Sequence, residues 1–331
     1  MRVLVLSHRD VRAALPPQAC AEAMAAVLAD QARGATFMPL RSVMAPPGAA
    51  GLMGLMPGWR AGRPGAAAAF GLKAVCILPG NPARGLDAHQ GLVTLFDGQT
   101  GQPTAILDAS AVTEVRTAAV TAVATRLLAR DDARTLAVLG AGTQARAHLA
   151  ALAPVRAFEQ VRVYAPTEAH ARALADRAEV TEAEITVAPS AQDAVRGADV
   201  VVTATSAREP VLRRDWLKAG AHVNAVGASQ PQARELDTAT VAASALFCDS
   251  RESLRHEAGE FRLAVAEGLI PGAEHVRAEL GEVLAGTAPG RRDAGELTLF
   301  RSLGLAIEDL AAAETAVAAA RAAGLGTEVE L

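Results

Sequence analysis

The stretch 135–145, TLAVLGAGTQA, constrains the fold more tightly than any other in the chain. An apolar run ends in Gly-x-Gly-x-x-Ala, so a strand turns into a helix through residues with almost no side chain. Gly140 permits the sharp turn, Gly142 lets backbone approach a pyrophosphate, and the small Ala145 lets helix and strand pack closely. The amides of Thr143, Gln144 and Ala145 then open a helix, where they face phosphate. A glycine turn alone is weak evidence, since many chains use one for packing. Here a rhythm follows it: apolar strands at 160–165, 184–188, 198–205 and 221–227 alternate with helices at 143–152, 167–178 and one shorter helix. Strands of that kind between helices predict a parallel, doubly wound sheet that binds a dinucleotide. The strand ends offer Thr203, Ala204 and Val226 to the same cofactor.

The flanking sequence reads differently. MRVLVL predicts a first strand, and Ser7 caps a helix that starts by Asp10. An amphipathic helix over 17–33 stops at Gly34. Between 36 and 108, FMPLRSVMA, GLMGLMP, FGLKAVCIL, GLVTLFD and PTAILD are short apolar runs punctuated by turns such as LPGNPARG and DGQTGQP. That punctuation predicts an antiparallel or mixed sheet. A long helix at 109–130 leads into the βα series. After 250 the chain is expected to be helical, ending in LFRSLGLAIEDLAAAETAVAAARAAG, whose apolar spacing needs a surface to cover.

Composition excludes several classes. The net charge of −4 without long one-sign runs speaks against nucleic acid or an anionic membrane surface as partner. No stretch of about 18 residues lacks a charge or a breaker, so no transmembrane helix is expected. Three scattered cysteines without CxxC spacing fit neither a disulfide framework nor a zinc site, and a reducing cytoplasm suits them. His256 and His275 have no metal-ligand spacing, and no metal is expected.

The nicotinamide cofactor carries a 2′ mark. Where a carboxylate about 20 residues after the loop normally holds the ribose 2′-hydroxyl, this chain has Ala165-Pro166-Thr167. Nothing there repels a 2′-phosphate, and Thr167 with Arg172 can hold one, which favours NADPH. Alternatively Glu168 serves NADH, and Thr167 only caps a helix.

Taken together, RSVM, GLMGLMP, GLKAV, EVRTAAVTAVAT, GAGTQA, HVNAVGASQPQARELD and SLGLAIEDL resemble the ornithine cyclodeaminase/mu-crystallin family, in the family's order and over nearly the whole chain. The resemblance implies a homodimer with an α/β fold: a Rossmann-type doubly wound parallel sheet at 123–299, inserted in a discontinuous α+β substrate-binding and dimerisation domain at 1–122 and 300–331. It also implies a small imino or amino acid substrate, with Arg41, Lys73 and Arg116 holding its carboxylate and Met53 beside them.

The residue types agree with that role. Arg41 and Lys73 are expected inside otherwise apolar strands and Arg116 on an alanine-rich helix; such charges are rarely buried without a partner, and guanidinium suits bidentate carboxylate recognition. Pairing with Glu114, Asp108 or Asp87, or snorkelling to solvent, is the alternative. Lys73 is also a candidate proton donor to a C=N nitrogen. His89 is a further substrate-side candidate, and Thr117, beside Arg116, a cofactor-phosphate candidate.

Two departures from the family pattern bear on the reaction. Cyclodeaminases carry an acidic residue where this chain has Gly54, and an aspartate where it has Ser229. A serine hydroxyl is not basic near neutral pH and cannot move protons on and off amines. The resemblance therefore implies a ketimine reductase-like branch, with Ser229 near the reacting centre. Alternatives are an amino-acid dehydrogenase or acyclic imine (iminosuccinate) reductase, a non-catalytic NADPH binder, and a cyclodeaminase. Asp309 reads as a helix-surface carboxylate, Trp59 as a pocket wall in a loop over 58–66, Trp216 as a packing residue, and Cys76 and Cys248 as small buried hydrophobes.

Overall fold

The computed structural model describes residues 1–65, 67–176 and 183–331. Ala66, in the expected 58–66 loop, and residues 177 and 178, at the end of the expected 167–178 helix, lie outside the described residues. The chain divides into two compact units, Met1–Arg116 with Gly304–Leu331, and Thr117–Leu303.

Unit 1 begins with β1 (Arg2–Leu6), α1 (His8–Ala14) and α2 (Pro17–Ala32). Ser7 caps α1 as expected: its hydroxyl accepts from the Asp10 amide (3.3 Å), and the Asp10 carboxylate accepts from the Ser7 amide (3.1 Å). Then come β2 (Thr36–Phe37), β3 (Ser42–Met44), β4 (Leu52–Arg60), β5 (Ala69–Ile77), β6 (His89–Asp97) and β7 (Pro103–Asp108). β4 to β7 form an antiparallel meander, and β1 joins β7 in parallel, so the sheet is mixed. Met56, Lys73, Val93 and Leu107 lie in one cross-strand row. Arg41 is not inside a strand, because residues 38–41 break the expected 37–45 run between β2 and β3, where Pro39 has no amide to donate. Trp59 belongs to β4 rather than to a loop.

Unit 2 follows along α3 (Ala109–Leu128), within which the boundary falls. Its elements are β8 (Thr135–Leu139), α4 (Thr143–Leu152), β9 (Gln160–Tyr164), α5 (Glu168–Asp176), β10 (Glu184–Val187), α6 (Ala191–Val195), β11 (Val200–Thr203), β12 (His222–Ala225), α7 (Thr238–Ala243) and β13 (Ala245–Cys248). α8 (Arg251–Glu257), α9 (Gly259–Ala266), β14 (Val276–Glu279), α10 (Leu280–Leu284) and β15 (Thr298–Arg301) complete it. The eight strands pair in parallel in the order β10-β9-β8-β11-β12-β15-β13-β14. The doubly wound parallel sheet is therefore present. The helical reading beyond 250 is corrected: β14 and β15 lie there, four residues each, too short to show a period of their own. Strand order reverses at β8 and β11, the switch point at which open α/β sheets take ligands.

The chain then re-enters unit 1 as α11 (Ala306–Ala323) and β16 (Thr327–Glu330), which pairs with β1. α11 is the expected apolar helix, and the surface it covers is the inner face of β4 and β5. Contact is close: a Cβ on Gly58 would meet Ala306 Cβ at 3.2 Å, and one on Gly71 would meet Leu310 Cδ1 at 3.0 Å. The two glycines let the first turns of α11 settle onto the strands.

Candidate active site

In unit 1 that settling brings opposite charges together. Lys73, 4% exposed, points from β5 toward α11, and its Nζ lies 2.7 Å from Asp309 Oδ2. Arg116 reaches the same carboxylate through Nε (3.0 Å) and Glu308 through Nη1 (3.0 Å). Glu308 also accepts from the Leu305 amide at 3.1 Å, which caps α11. Arg41 Nη2 donates to the Gly304 carbonyl (2.8 Å), and a Cβ on Gly304 would lie 2.6 Å from the Arg116 guanidinium. Thus Arg41, Lys73 and Arg116 do converge.

The pairing partners differ from those weighed on sequence. Glu114 engages Arg12 (3.0 Å), Asp108 engages His8 (3.1 Å), and Asp87 accepts from Ser110. Asp309 is not on the helix surface: it is 1% exposed, and it holds Lys73 and Arg116. Two adjacent acids on an otherwise apolar helix were the signal for it, since such a helix turns its first turn inward. Burial pushes the Asp309 carboxyl up, but the Lys73 and Arg116 cations outweigh this and hold it below the usual range. Burial pulls the Lys73 ammonium down; Asp309 opposes that, Arg116 and Arg41 add to it, and the result is about 8. The pair is therefore asymmetric, with a firmly ionised carboxylate beside an ammonium that gives up its proton near neutrality.

His89 shares the inner face, four residues along β6 from Val93, the register partner of Lys73. Its imidazole is pulled below the ordinary value, first by desolvation and then by the Lys73 and Arg116 cations. Met53 and Trp59 do not join them. The pleat alternates, so Gly54, Met56 and Gly58 face α11 while Met53 and Trp59 face the other way. That outer face carries Phe37, Trp59, Phe70 and Phe96 in one cross-strand row, with Met44, Leu55 and Leu92 exposed beside it.

Unit 2 builds a cradle at the glycine loop. Gly140 has φ 120°, and a Cβ on it would lie 2.4 Å from the Ala204 carbonyl oxygen, so the position admits only glycine. Gly142 begins α4 without a side-chain cap and faces open space, which suits the first turn of α4, with the amides of Thr143 and Ala145, to an outside acceptor. α3 runs alongside α4. Thr121 Oγ1 meets His148 Nε2 at 3.0 Å, and further on Arg156 donates to the carbonyls of Arg126, Ala129 and Arg130 at the end of α3. Thr117, one turn before Thr121, therefore comes level with the first turn of α4. Its hydroxyl is buried with no protein partner. An orphaned hydroxyl, a cleared glycine surface and uncapped amides fit a dinucleotide pyrophosphate.

The other strand ends are braced by Glu235, which the sequence reading passed over. It is fully buried, and its carboxylate accepts from Thr203 Oγ1 (2.8 Å), Thr205 N (2.7 Å), Thr205 Oγ1 (2.8 Å) and Gly227 N (2.7 Å). The Thr203 hydroxyl is thus committed to Glu235 and not offered to a ligand. Ala204 and Val226 follow β11 and β12 directly, with the Val226 amide donating to the Thr203 carbonyl (3.0 Å). Ser229 is half-buried in the segment after Gly227. Ala165 is buried at the end of β9, while Thr167 is exposed. Arg172 pairs with Glu168 one turn along α5 (2.5 Å), both largely exposed. Trp216 packs partly buried against the unit 2 core. The three cysteines are free thiols, and among the described residues no cluster suited to a metal ion and no helix long and apolar enough to cross a membrane occurs.

The comparisons with known proteins agree with this geometry. The ornithine cyclodeaminase/mu-crystallin family matches residues 1–323. Mouse ketimine reductase mu-crystallin is 38% identical over 281 residues, 85% of this chain and 84% of that protein. Thermococcus litoralis Δ1-pyrroline-2-carboxylate reductase, solved with NADH and L-proline, superposes with a TM-score of 0.94 at 35% identity, over 99% of this chain and all of the other. A dimeric archaeal alanine dehydrogenase with bound NAD superposes at 0.92, with 33% identity and complete coverage of both chains. A match over nearly all of its length, with relatives above a third identical, places the chain in the ornithine cyclodeaminase/mu-crystallin family.

Proposed function

We propose that the chain reduces the C=N bond of small 2-imino carboxylates to the amino acid with NAD(P)H, acting on cyclic ketimines such as Δ1-pyrroline-2-carboxylate or Δ1-piperideine-2-carboxylate. One observation carries the reading: Lys73 and Arg116 are buried beside the carboxylates of Glu308 and Asp309, and Arg41 joins them on the Gly304 carbonyl at the head of α11, so three cations gather at one place. A cluster of cations at one point suits a substrate carboxylate. Arg41 and Arg116 would orient it by charge-assisted hydrogen bonds, and Lys73 would protonate the imine nitrogen. His89 stands by as a largely neutral imidazole that can hydrogen-bond the substrate. Ser229 would contribute a neutral hydroxyl near the reacting carbon. Deamination chemistry asks for a carboxylate free to shuttle protons, and Asp309, held ionised by two cations, makes a poor base.

The reduced dinucleotide would supply the hydride, its pyrophosphate held by Gly140, Gly142 and the amides of Thr143, Gln144 and Ala145, with Thr117 Oγ1 as a further donor. Ala165, Ala204 and Val226 would line the ribose and ring. NADPH is the proposed donor, with NADH as second choice: no carboxylate occupies 165–167, and the exposed Arg172 can exchange Glu168 for a 2′-phosphate. The outer face of unit 1, with its aromatic row, supports a homodimer in which a second copy covers it, and the free thiols suit the cytoplasm.

Initial rates test the assignment. Preformed cyclic imines, and 2-keto acids mixed with ammonia or methylamine, would be reduced in the presence of NADPH and NADH, read by absorbance. Cyclic 2-imino carboxylates should be the fastest substrates; faster oxidation of free L-amino acids by NAD(P)+ would overturn the proposal.

A further inference from the structure

We propose that Asp309 is the positioning residue of this site, keeping the Lys73 ammonium charged and aimed so that it can protonate the imine; this rests on the imine-reducing function proposed above. The geometry is specific. Lys73 is almost wholly buried on the inner face of β5, and Asp309 Oδ2 lies 2.7 Å from its Nζ, with Thr113 Oγ1 at 3.4 Å. The other Asp309 oxygen is taken by Arg116 Nε, which fixes the plane of the carboxylate. Gly58 and Gly71 are what allow α11 close enough for this contact.

Among the described residues, the other charged groups around the pair act against a charged Lys73 or are engaged with other partners. Arg116 on α3 and Arg41 before β3 both disfavour a charged Lys73. Glu308 on α11 is directed at Arg116, and Glu314 at Arg60 of β4 (2.6 Å). His89 on β6 is itself held toward neutrality, and Cys20 on α2, near Arg116, Glu308 and Asp309, is pushed up to about 12 and stays a thiol. Asp309 is thus the anion that keeps an ammonium at this buried position. In the step itself an N–H bond of Lys73 breaks and its proton goes to the imine nitrogen. C2 accepts the hydride, and the C=N π pair becomes the amine lone pair. Lys73, left neutral, regains its proton from water, and the net change is reduction of the imine and oxidation of the dinucleotide.

The test is the pH profile of imine reduction. The alkaline limb of kcat/KM, set by Lys73 near pH 8 in the wild type, should fall by about one pH unit or more in Asp309→Asn, because an opposite charge at this distance shifts a buried group by about that much. Glu308→Gln removes a carboxylate paired with Arg116, while Asp309 is the anion that raises Lys73, so the E308Q limb should stay with the wild type. Reduced activity in D309N with an unmoved limb, or an equal shift in E308Q, overturns the proposal. If D309N does not fold, Asp309→Glu carries the same comparison: its displaced carboxylate should move the limb the same way by less, and an unmoved limb counts equally against it. A side-chain 15N titration of Lys73, assigned from the resonance lost in Lys73→Arg, should shift in parallel. That readout needs no turnover, so a wild type inactive on every imine sinks the proposed function while the titration still decides the role of Asp309.

Discussion

The two units bury charge in opposite ways. In unit 2, buried ionisable groups are closed off locally. Glu235 has four donors around one carboxylate, Arg301 and Glu260 pair one for one, and His222 sits between Thr298 Oγ1 (2.9 Å) and Asn224 Oδ1 (3.1 Å). In unit 1, Lys73 and Arg116 share the two carboxylates of α11, with Arg41 close by on the Gly304 carbonyl. A carboxylate ringed by neutral donors fixes a scaffold, whereas several cations gathered at one point suit the carboxylate substrate proposed above. That contrast, more than burial or pairing alone, separates structure from site here.

The sharpest way to break the contrast is Arg116→Leu. It strips the shared cation from Glu308 and Asp309, and removing one partner of a buried network costs about 3–5 kcal/mol, read as a lower denaturation midpoint. A loss below about 1 kcal/mol, the range of exposed pairs, would mean that the unit 1 network is not the tightly coupled cluster described. Glu235→Gln tests the scaffold side. An amide has one acceptor oxygen where the carboxylate has two, so donors lose partners at about 1–3 kcal/mol each. The dinucleotide Kd should rise about tenfold, the equivalent of about 1.4 kcal/mol, with a smaller change in imine KM; the reverse pattern would move Glu235 to the substrate side.

Acid sharpens the comparison with a smaller effect. Burial pulls His222 down to about 3 and His148 to about 4, so both stay neutral in the fold, while the unfolded chain takes up protons near pH 6.5. A lowered folded pKa gives stability that is intact above 6.5 and is lost as pH falls toward the folded value. Each histidine therefore removes about 1.4 kcal/mol per pH unit over that window. His222→Gln should have a stability–pH slope shallower by that amount between about pH 6 and 4.5, measured by urea unfolding; parallel slopes would show His222 charged in the fold.

Much of the framework was legible because its signals are local. The strand–Gly140–α4 turn, the βα rhythm and the Ser7 cap each depend on neighbours in sequence. The three cations were legible too, as charges in apolar surroundings. Asp309 was not, because its burial depends on α11 pressing against Gly58 and Gly71, some 240 residues earlier in the chain. Met53 and Met56 are the same residue type three apart, and only the register of β4 on β5 decides which faces Lys73. β14 and β15 escaped because VRAE and TLFR are shorter than any periodicity, and LFR reads equally well as helix. Glu235 escaped because acceptance from backbone amides leaves no mark in the composition around it.

The split of unit 1 across the chain sets an order of events during synthesis. α11 leaves the ribosome only after all of 117–303, so the sheet bearing Lys73 and the start of α3 bearing Arg116 are made long before their counter-charges exist. Domains fold as units while translation proceeds; the contiguous unit 2 can therefore be complete while unit 1 still waits, its inner sheet face bare and positively charged. Arrival of Glu308 and Asp309 is the latch that completes the cluster.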